Sequence, residues 1–444
     1  LQGGYMRDLI RQKIIDSLST QVPGFTKRDA YLPRLGGKKA YAVIGMRRSG
    51  KTTFLWQELD GEMKLGTPRE DLVYFNFEDE RLSDLTQSDL GLVAEEYYNL
   101  YPESHGRRVV FFLDEIQNID GWEAFARRLL DTNQVGLYVS GSSSRLLSRE
   151  LASGMRGRAL EVRIYPFSFR EFLRHLGREP KGEADRLPTT QRSRLERDLR
   201  DYLASGGFPE AVGTDVRAQQ ELLRSYVDVA VLRDVIERHA VSNPVALRYL
   251  VRQLLGNPAG LFSINKFYND LKAQGIPVAK DTLHDYLSYL EDAFLLRINS
   301  LQTRSERRRM VNPRKVYPID PGLIPIYDRS GEPKLGHALE TCVLLELERR
   351  GAEVGYVRTA SGYEVDFHAR SPGGSTALIQ VCTDIANDGV YNREVRALLE
   401  AKKEYPRAMM CLIVLERMPR IEIPKNVQVS LASSWLLETS TFPE

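Results

Sequence analysis

The sequence predicts an α/β fold with a parallel sheet, and three observations carry that prediction. Apolar strand candidates alternate with helical patterns through the first 165 residues, a glycine-rich loop joins one such strand to a helix, and another strand ends in two adjacent acids. Strands separated by helices pair in parallel and are covered by helices on both faces. The strand candidates are residues 40–44, 72–77, 109–113, 135–139 and 159–165.

The loop reads Gly45-Met46-Arg47-Arg48-Ser49-Gly50-Lys51-Thr52, a full G-x-x-x-x-G-K-T. It follows the strand at 40–44 and opens a helix over 52–59, the context this motif needs. The glycines let backbone N–H groups curl around phosphate oxygens at a helix N-terminus, whose dipole favours anions. Gly45, Arg48, Ser49, Gly50, Lys51, Thr52 and Thr53 are the candidate nucleotide-binding residues, with ATP and Mg²⁺ as the ligands. Lys51 is expected to reach the β- and γ-phosphates and Thr52 to ligate Mg²⁺.

The strand at 109–113 ends in Asp114-Glu115. Asp114 is expected to hold Mg²⁺, and Glu115 to polarise the attacking water as general base. The strand at 135–139 runs into Ser140-Gly141-Ser142-Ser143, from which Ser142 is the choice for a polar group facing the γ-phosphate. Four arginines follow: Arg145, Arg149, Arg156 and Arg158. In an oligomeric ATPase such a group completes a neighbour's site. Arg158 is the first candidate and Arg156 the second; the competing reading is a solvated basic surface.

Composition bounds the rest. The chain of 444 residues is long enough for about three domains. Its formal net charge is +2, from 62 Lys and Arg against 60 Asp and Glu, so any nucleic-acid surface must be local. No apolar run approaches the ~20 residues that span a bilayer, and no segment reads as a signal peptide. Three cysteines exclude a disulfide framework and fit a cytoplasmic location. Native sequence is expected from Met6, because the leading residues 1–5 contain no Met.

With Thr53, the loop resembles the G-x-R-R-x-G-K-T-T loop of a prokaryotic AAA+ ATPase family with a C-terminal domain of unknown function (DUF4143). Segments 113–117, 141–144, 165–172, 206–210, 233–235, 312–317 and 364–367 extend the resemblance along nearly the whole chain. It implies a P-loop AAA+ core, a helical lid, a winged helix and a nuclease-like α/β domain, divided as residues 1–165, 166–225, 226–320 and 321–444.

The residue patterns in the later segments agree with that division. Residues 166–212 read as helices, with Ser168 and Glu171 placed as a capping box. Residues 244–300 fit a winged helix: a helix capped by Asn243, a second over 265–273, a turn at Gly275-Ile276-Pro277, and a recognition-like helix from Lys280. Residues 303–315 then hold six basic residues (Arg304, Arg307, Arg308, Arg309, Arg314, Lys315) against one acid, Glu306. A basic hairpin there suits a phosphate backbone. Arg304, Arg307, Arg308, Arg309 and Lys280 are the candidate DNA contacts. The recognition-like helix is too acidic for base readout, so contact is expected to be structure-selective or non-specific. The competing reading packs this module against other domains.

From about Lys334 the order helix, three strands, helix, strand resembles the restriction-endonuclease-like fold, which places an acid on the helix, an Asp on the second strand and Glu-x-Lys on the third. Glu340 and Asp366 match the first two places. The third reads Gln380-Val381-Cys382, which disfavours metal-dependent cleavage. The leading expectation is an ATP-hydrolysing homo-oligomer, as a hexameric ring, that translocates on DNA, separates strands or migrates branches. One alternative is a nucleotide-dependent switch that binds a partner protein or promoter; the other is an ATP-gated nuclease.

Overall fold

The computed structural model describes residues 2–33, 38–132, 134–142, 155, 157–182, 184–303, 305–311, 313–328, 334–383, 388–416 and 424–438. They form two compact units, residues 1–165 with 292–294, and residues 166–291 with 295–444.

In the first unit, β1 (Ala40–Ile44), β2 (Leu72–Asn76), β3 (Val109–Asp114), β4 (Val135–Gly141) and β5 (Ala159–Arg163) form one parallel sheet in the order β2-β3-β4-β1-β5. This is the AAA+ α/β fold. Helices α1 (Gln2–Ser19), α2 (Lys51–Lys64), α3 (Gly91–Leu100) and α4 (Trp122–Thr132) complete the unit. Every residue of β3 is buried, as expected of a strand covered on both faces. Val43, Phe54, Leu59, Val110, Phe112 and Tyr138 share one core, where the rings of Phe112 and Tyr138 stack 4.8 Å apart. Full burial of each such side chain contributes roughly 1.5–3 kcal/mol. Because β4 lies between β1 and β3, its C-terminal end falls between the glycine-rich loop and Asp114.

The second unit begins with α5 (Phe169–His175), α6 (Thr189–Ser205) and α7 (Val216–Val229), which runs on into a π-helical stretch, Ala230–Glu237. The capping box is present: the Ser168 side chain accepts from the Glu171 N–H, and the Glu171 carboxylate accepts from the Ser168 N–H. Next come α8 (Pro244–Gly256), β6 (Leu261–Phe262), α9 (Ile264–Ala273), α10 (Lys280–Asp292), β7 (Leu296–Asn299), α11 (Glu306–Val311) and β8 (Arg314–Pro318). Helices α8, α9 and α10 with the antiparallel sheet β6-β8-β7, whose strand β6 falls between α8 and α9, have the order of a winged helix, and Asn243 caps α8 as its sequence suggests. β7 and β8 pair antiparallel as the expected hairpin does, but among the described residues its basic tip is not a simple turn. The tip is instead the short helix α11, because Ser305 supplies a cap: its hydroxyl accepts from the Arg308 N–H and its carbonyl from the Arg309 N–H.

The remaining elements are α12 (Ile324–Tyr327), α13 (Leu335–Arg349), β9 (Glu353–Arg358), β10 (Glu364–Arg370), β11 (Thr376–Cys382), α14 (Asp388–Glu404), β12 (Met409–Val414), β13 (Val427–Leu431) and α15 (Ala432–Trp435). The sheet runs β13-β12-β11-β10-β9, antiparallel over β9, β10 and β11 and parallel beyond. One core joins Phe169, Leu199 and Tyr202 of α5 and α6 to Tyr317, Leu339, Phe367 and Trp435. Residues expected as separate lid, winged-helix and C-terminal domains therefore lie in a single compact unit.

The Gly206-Gly207 pair has a packing role in that unit. Gly206 sits at φ +78°, and a Cβ there would lie 1.8 Å from Asp320 Oδ1. The buried Asp320 carboxylate accepts from the N–H groups of Gly207 (2.7 Å) and Gly322 (2.9 Å), and burial pushes its carboxyl up to about 7. Cys342, Cys382 and Cys411 are buried free thiols. Among the described residues no helix is long and apolar enough to cross a membrane.

Candidate functional site

The glycine-rich loop leaves the end of β1 and enters α2. Two residues carry its reversal in the left-handed region, Arg48 (φ 67°) and Gly50 (φ 97°). A Cβ on Gly45 would lie 2.1 Å from the Ile164 carbonyl oxygen, so only glycine allows the loop this close to the neighbouring strand. Gly50 offers α2 no side-chain cap, so the first-turn N–H groups stay available to an anion. The Ser49 hydroxyl is buried and has no hydrogen-bond partner. An orphaned buried hydroxyl costs about 1–3 kcal/mol, and a phosphate oxygen would satisfy it.

The functional side chains converge at this end of the sheet. Thr52 donates to Asp114 Oδ2 at 2.7 Å, and Tyr74 donates to the same oxygen at 2.7 Å. The Thr52 hydroxyl and Asp114 carboxylate are the hard oxygen donors Mg²⁺ prefers. Lys51, 4% exposed, reaches the Met46 carbonyl (3.3 Å) and Glu115 Oε1 (3.4 Å). Glu115 itself stands in the left-handed region at φ 53°. Burial pushes its carboxyl up, but Lys51, Gln117 and Arg47 outweigh burial and hold it below the usual range. It is therefore a carboxylate at neutral pH. Gln117 donates to Glu115 through Nε2 and leaves its own buried Oε1 without a partner. Thr53 is half-buried on α2, and Arg48 is exposed.

Two residues of this site escaped the sequence. Ser140 meets the acids: its hydroxyl donates to Asp114 Oδ1 and accepts from the Glu115 N–H at 2.9 Å. Ser142 is buried just beyond β4. Arg28, also buried, donates to the Ser49 carbonyl (2.8 Å) and the Tyr165 carbonyl (2.5 Å), tying the loop to the strand-end segment beside it. Arg158 pairs with Asp131 of its own chain, and its carbonyl accepts from the Ala40 N–H. That places it at the start of β1, the opposite end from the loop. Arg156 lies outside the described residues, as do Arg145 and Arg149.

In the second unit, Arg307, Arg308, Arg309 and Lys280 are exposed, and Arg304 lies outside the described residues. Lys315 departs from the basic run to which its sequence neighbours assign it. Only 3% exposed on β8, it places Nζ 3.1 Å from Glu340, 2.9 Å from Glu364 and 3.0 Å from Asp366. Burial alone would lower its pKa, but Asp366, Glu340 and Glu364 outweigh burial and raise it. Tyr317 donates to Glu340 (2.7 Å), the Val381 N–H donates to Asp366 (3.1 Å), and Gln380 donates to Glu394 (2.6 Å). The lysine absent from the Gln380-Val381-Cys382 strand thus arrives from β8, seated among the acids. Among the described residues no group of three or more His, Cys, Asp and Glu is arranged to hold a metal ion.

Comparison with known proteins agrees with the first unit's geometry. The AAA domain family matches residues 37–173, and a domain of unknown function (DUF8612) matches residues 196–329. The uncharacterized protein MJ1544 of Methanocaldococcus jannaschii is 34% identical over 402 residues, spanning 89% of this chain and 86% of that protein. The chain belongs to the same family as this protein and carries an AAA domain over residues 37–173. An uncharacterized protein of Haemophilus influenzae is 29% identical over 89% of this chain and 94% of its own length. Among solved structures, the Walker-type ATPase PABY2304 of Pyrococcus abyssi is 15% identical and covers 72% of this chain and 95% of that one at a TM-score of 0.42. The Aeropyrum pernix ORC1 protein in complex with DNA is 13% identical, covering 73% and 91% at 0.27. These structural likenesses are too distant to add to the reading of the AAA ATPase site, which rests on its own side chains.

Proposed function

We propose that this protein hydrolyses ATP between the glycine-rich loop and the Asp114-Glu115 strand end, as a homo-oligomer that couples turnover to DNA. The observation that carries the hydrolytic part is the convergence of Lys51, Thr52, Asp114 and Glu115 beside buried groups, Ser49 Oγ and Gln117 Oε1, that lack partners. Mg²⁺ would be held by Thr52 and Asp114 and would supply positive charge to the phosphate oxygens. Lys51 and the first-turn N–H groups of α2 bind the phosphates. The Glu115 carboxylate takes a proton from water as the water oxygen bonds to the γ-phosphorus; the bond to the bridging oxygen breaks, and ADP leaves with that oxygen. Ser140 holds both acids in place. Arg158 and Arg156 remain the candidates for an arginine given to a neighbouring subunit.

The DNA part rests on the winged helix and the exposed Arg307, Arg308 and Arg309 at its tip. The nuclease-like (DUF4143) reading of residues 321–444 rests on strand order and on Glu340 and Asp366, but Lys315 Nζ already lies within 3.1 Å of both acids, which favours a docking or assembly role over cleavage. The test is steady-state ATP hydrolysis with single-stranded, duplex and four-way-junction DNA at fixed salt. Strong stimulation by one form, lost when Arg307, Arg308 and Arg309 become Ala, is expected. An unchanged slow rate with every DNA would contradict coupling and favour the switch that binds a protein partner.

A further inference from the structure

The second unit contains a cavity of about 650 Å³ on a face that none of the motifs above assigns, within the range of ligand pockets. Two helices build its basic wall. The buried stripe of α8 is Ala246, Leu247, Leu250, Val251, Leu254 and Leu255; at 3.6 residues per turn this turns Arg248 and Arg252, one helical turn apart, outward together. Arg224 of α7 lines the same cavity. All three are exposed and form no hydrogen bond or ion pair with any described residue.

That lack of pairing sets them apart. Arg217 and Glu221 on α7 close an ion pair at 3.1 Å, as do Arg233 and Glu237 at 2.9 Å. Arg224 and Asp228 have the same spacing and chain order, yet make no such pair. Lys334, by contrast, is tied down, to Asp328 at 2.8 Å and to the Gly256 carbonyl at 3.0 Å. With that pair cancelled, three arginines face the single carboxylate of Asp228. Two tyrosines also line it, Tyr249, 42% exposed, and Tyr327.

Guanidinium groups bind phosphate oxygens through fixed forks of donors. Exposed aromatic faces beside such a basic concavity stack bases, and only an unpaired strand presents its bases freely. We propose that this cavity binds single-stranded nucleic acid, its phosphodiesters on Arg224, Arg248 and Arg252 and a base on Tyr249. The proposal rests on the DNA reading above and adds a contact surface made by residues other than the arginines of α11.

The experiment measures fluorescence anisotropy of a labelled oligothymidylate titrated with the full chain at several salt concentrations. Four proteins are compared: wild type, the Arg224→Ala/Arg248→Ala/Arg252→Ala variant, Tyr249→Ala, and the Arg307→Ala/Arg308→Ala/Arg309→Ala variant. The cavity variant is expected to lose at least ~10-fold in affinity and to flatten the plot of log K against log salt by ~0.7 per phosphate contact removed. Tyr249→Ala is expected to weaken binding without changing that slope, a signature that loss of positive charge does not produce. All four substituted cavity residues are exposed, so folding is not at stake. If wild type binds and the cavity variant matches it in affinity and slope while the α11 variant fails, the cavity proposal is overturned and the DNA reading stands. If wild type does not bind the oligothymidylate, the cavity proposal falls, and the DNA reading is decided by the duplex and four-way-junction arms of the ATPase test.

Discussion

Two charged centres in this chain use similar ingredients, one buried lysine set among acids, yet they differ in what surrounds the lysine. At the nucleotide site, Lys51 shares Glu115 with a glutamine, the helix beneath it lacks a side-chain cap, and Ser49 Oγ and Gln117 Oε1 have no partner. At the second centre, Lys315 contacts three carboxylates, and Glu340, Asp366 and Gln380 each have a further partner. Burial makes unsatisfied polar groups expensive, so a site that tolerates them is arranged for a ligand. At the second centre three carboxylates share one lysine cation, and the buried Asn299 amide, opposite Lys315 in the sheet register, also lacks a partner. The same donor and acceptor types thus surround a glycine-rich loop in one unit and a lysine held by side chains alone in the other.

The largest effect expected is at the second centre. Lys315→Met leaves buried carboxylates without their cation, and breaking such a group costs about 3–5 kcal/mol. Thermal unfolding is expected to show it as a lower Tm, largely restored when Glu340→Gln and Asp366→Asn are added. An unchanged Tm in the single variant would mean that Lys315 is not what holds these acids. Next comes Ser140→Ala, which orphans the Glu115 N–H and one Asp114 oxygen for about 1–3 kcal/mol. Slower ATP turnover should accompany the lower stability, and normal turnover would argue that Thr52 and Tyr74 position Asp114 unaided. The smallest change in stability is expected for Arg158→Ala, because its pair with Asp131 is close to half exposed and such pairs contribute about 0–1 kcal/mol. A variant that keeps its Tm but loses ATPase activity in the assembled protein would assign Arg158 to a neighbour's site; retained activity would leave it a surface ion pair.

The same contrast explains what could be read in advance. The loop, the strand ending in Asp114-Glu115 and the helix starts at Ser168 and Asn243 are contiguous signals, each carried by a few neighbouring residues whose backbone chemistry admits few alternatives. The parallel sheet followed from the alternation of strands and helices. Ser140 was not legible, because choosing it requires the strand order that inserts β4 between β1 and β3. Arg28 lies outside every motif, and its role depends on two carbonyls, one of them 137 positions away. Lys315 was hidden by its neighbours: Arg307, Arg308 and Arg309 are exposed on α11, and only the pleat of β8 turns Lys315 inward. The acids it meets come from α13 and β10, 25 to 51 positions along the chain.

The central claim is that the first centre hydrolyses ATP and the second takes no part in that reaction. Steady-state hydrolysis of ATP by wild type, Glu115→Gln and Asp366→Asn, with nucleotide binding measured in parallel, tests it most directly. The prediction is a loss of at least ~100-fold in turnover for Glu115→Gln with nucleotide still bound, and turnover close to wild type for Asp366→Asn. Hydrolysis by Glu115→Gln at the wild-type rate would contradict the assignment of the base and, with it, the reading of the first centre as the hydrolytic site.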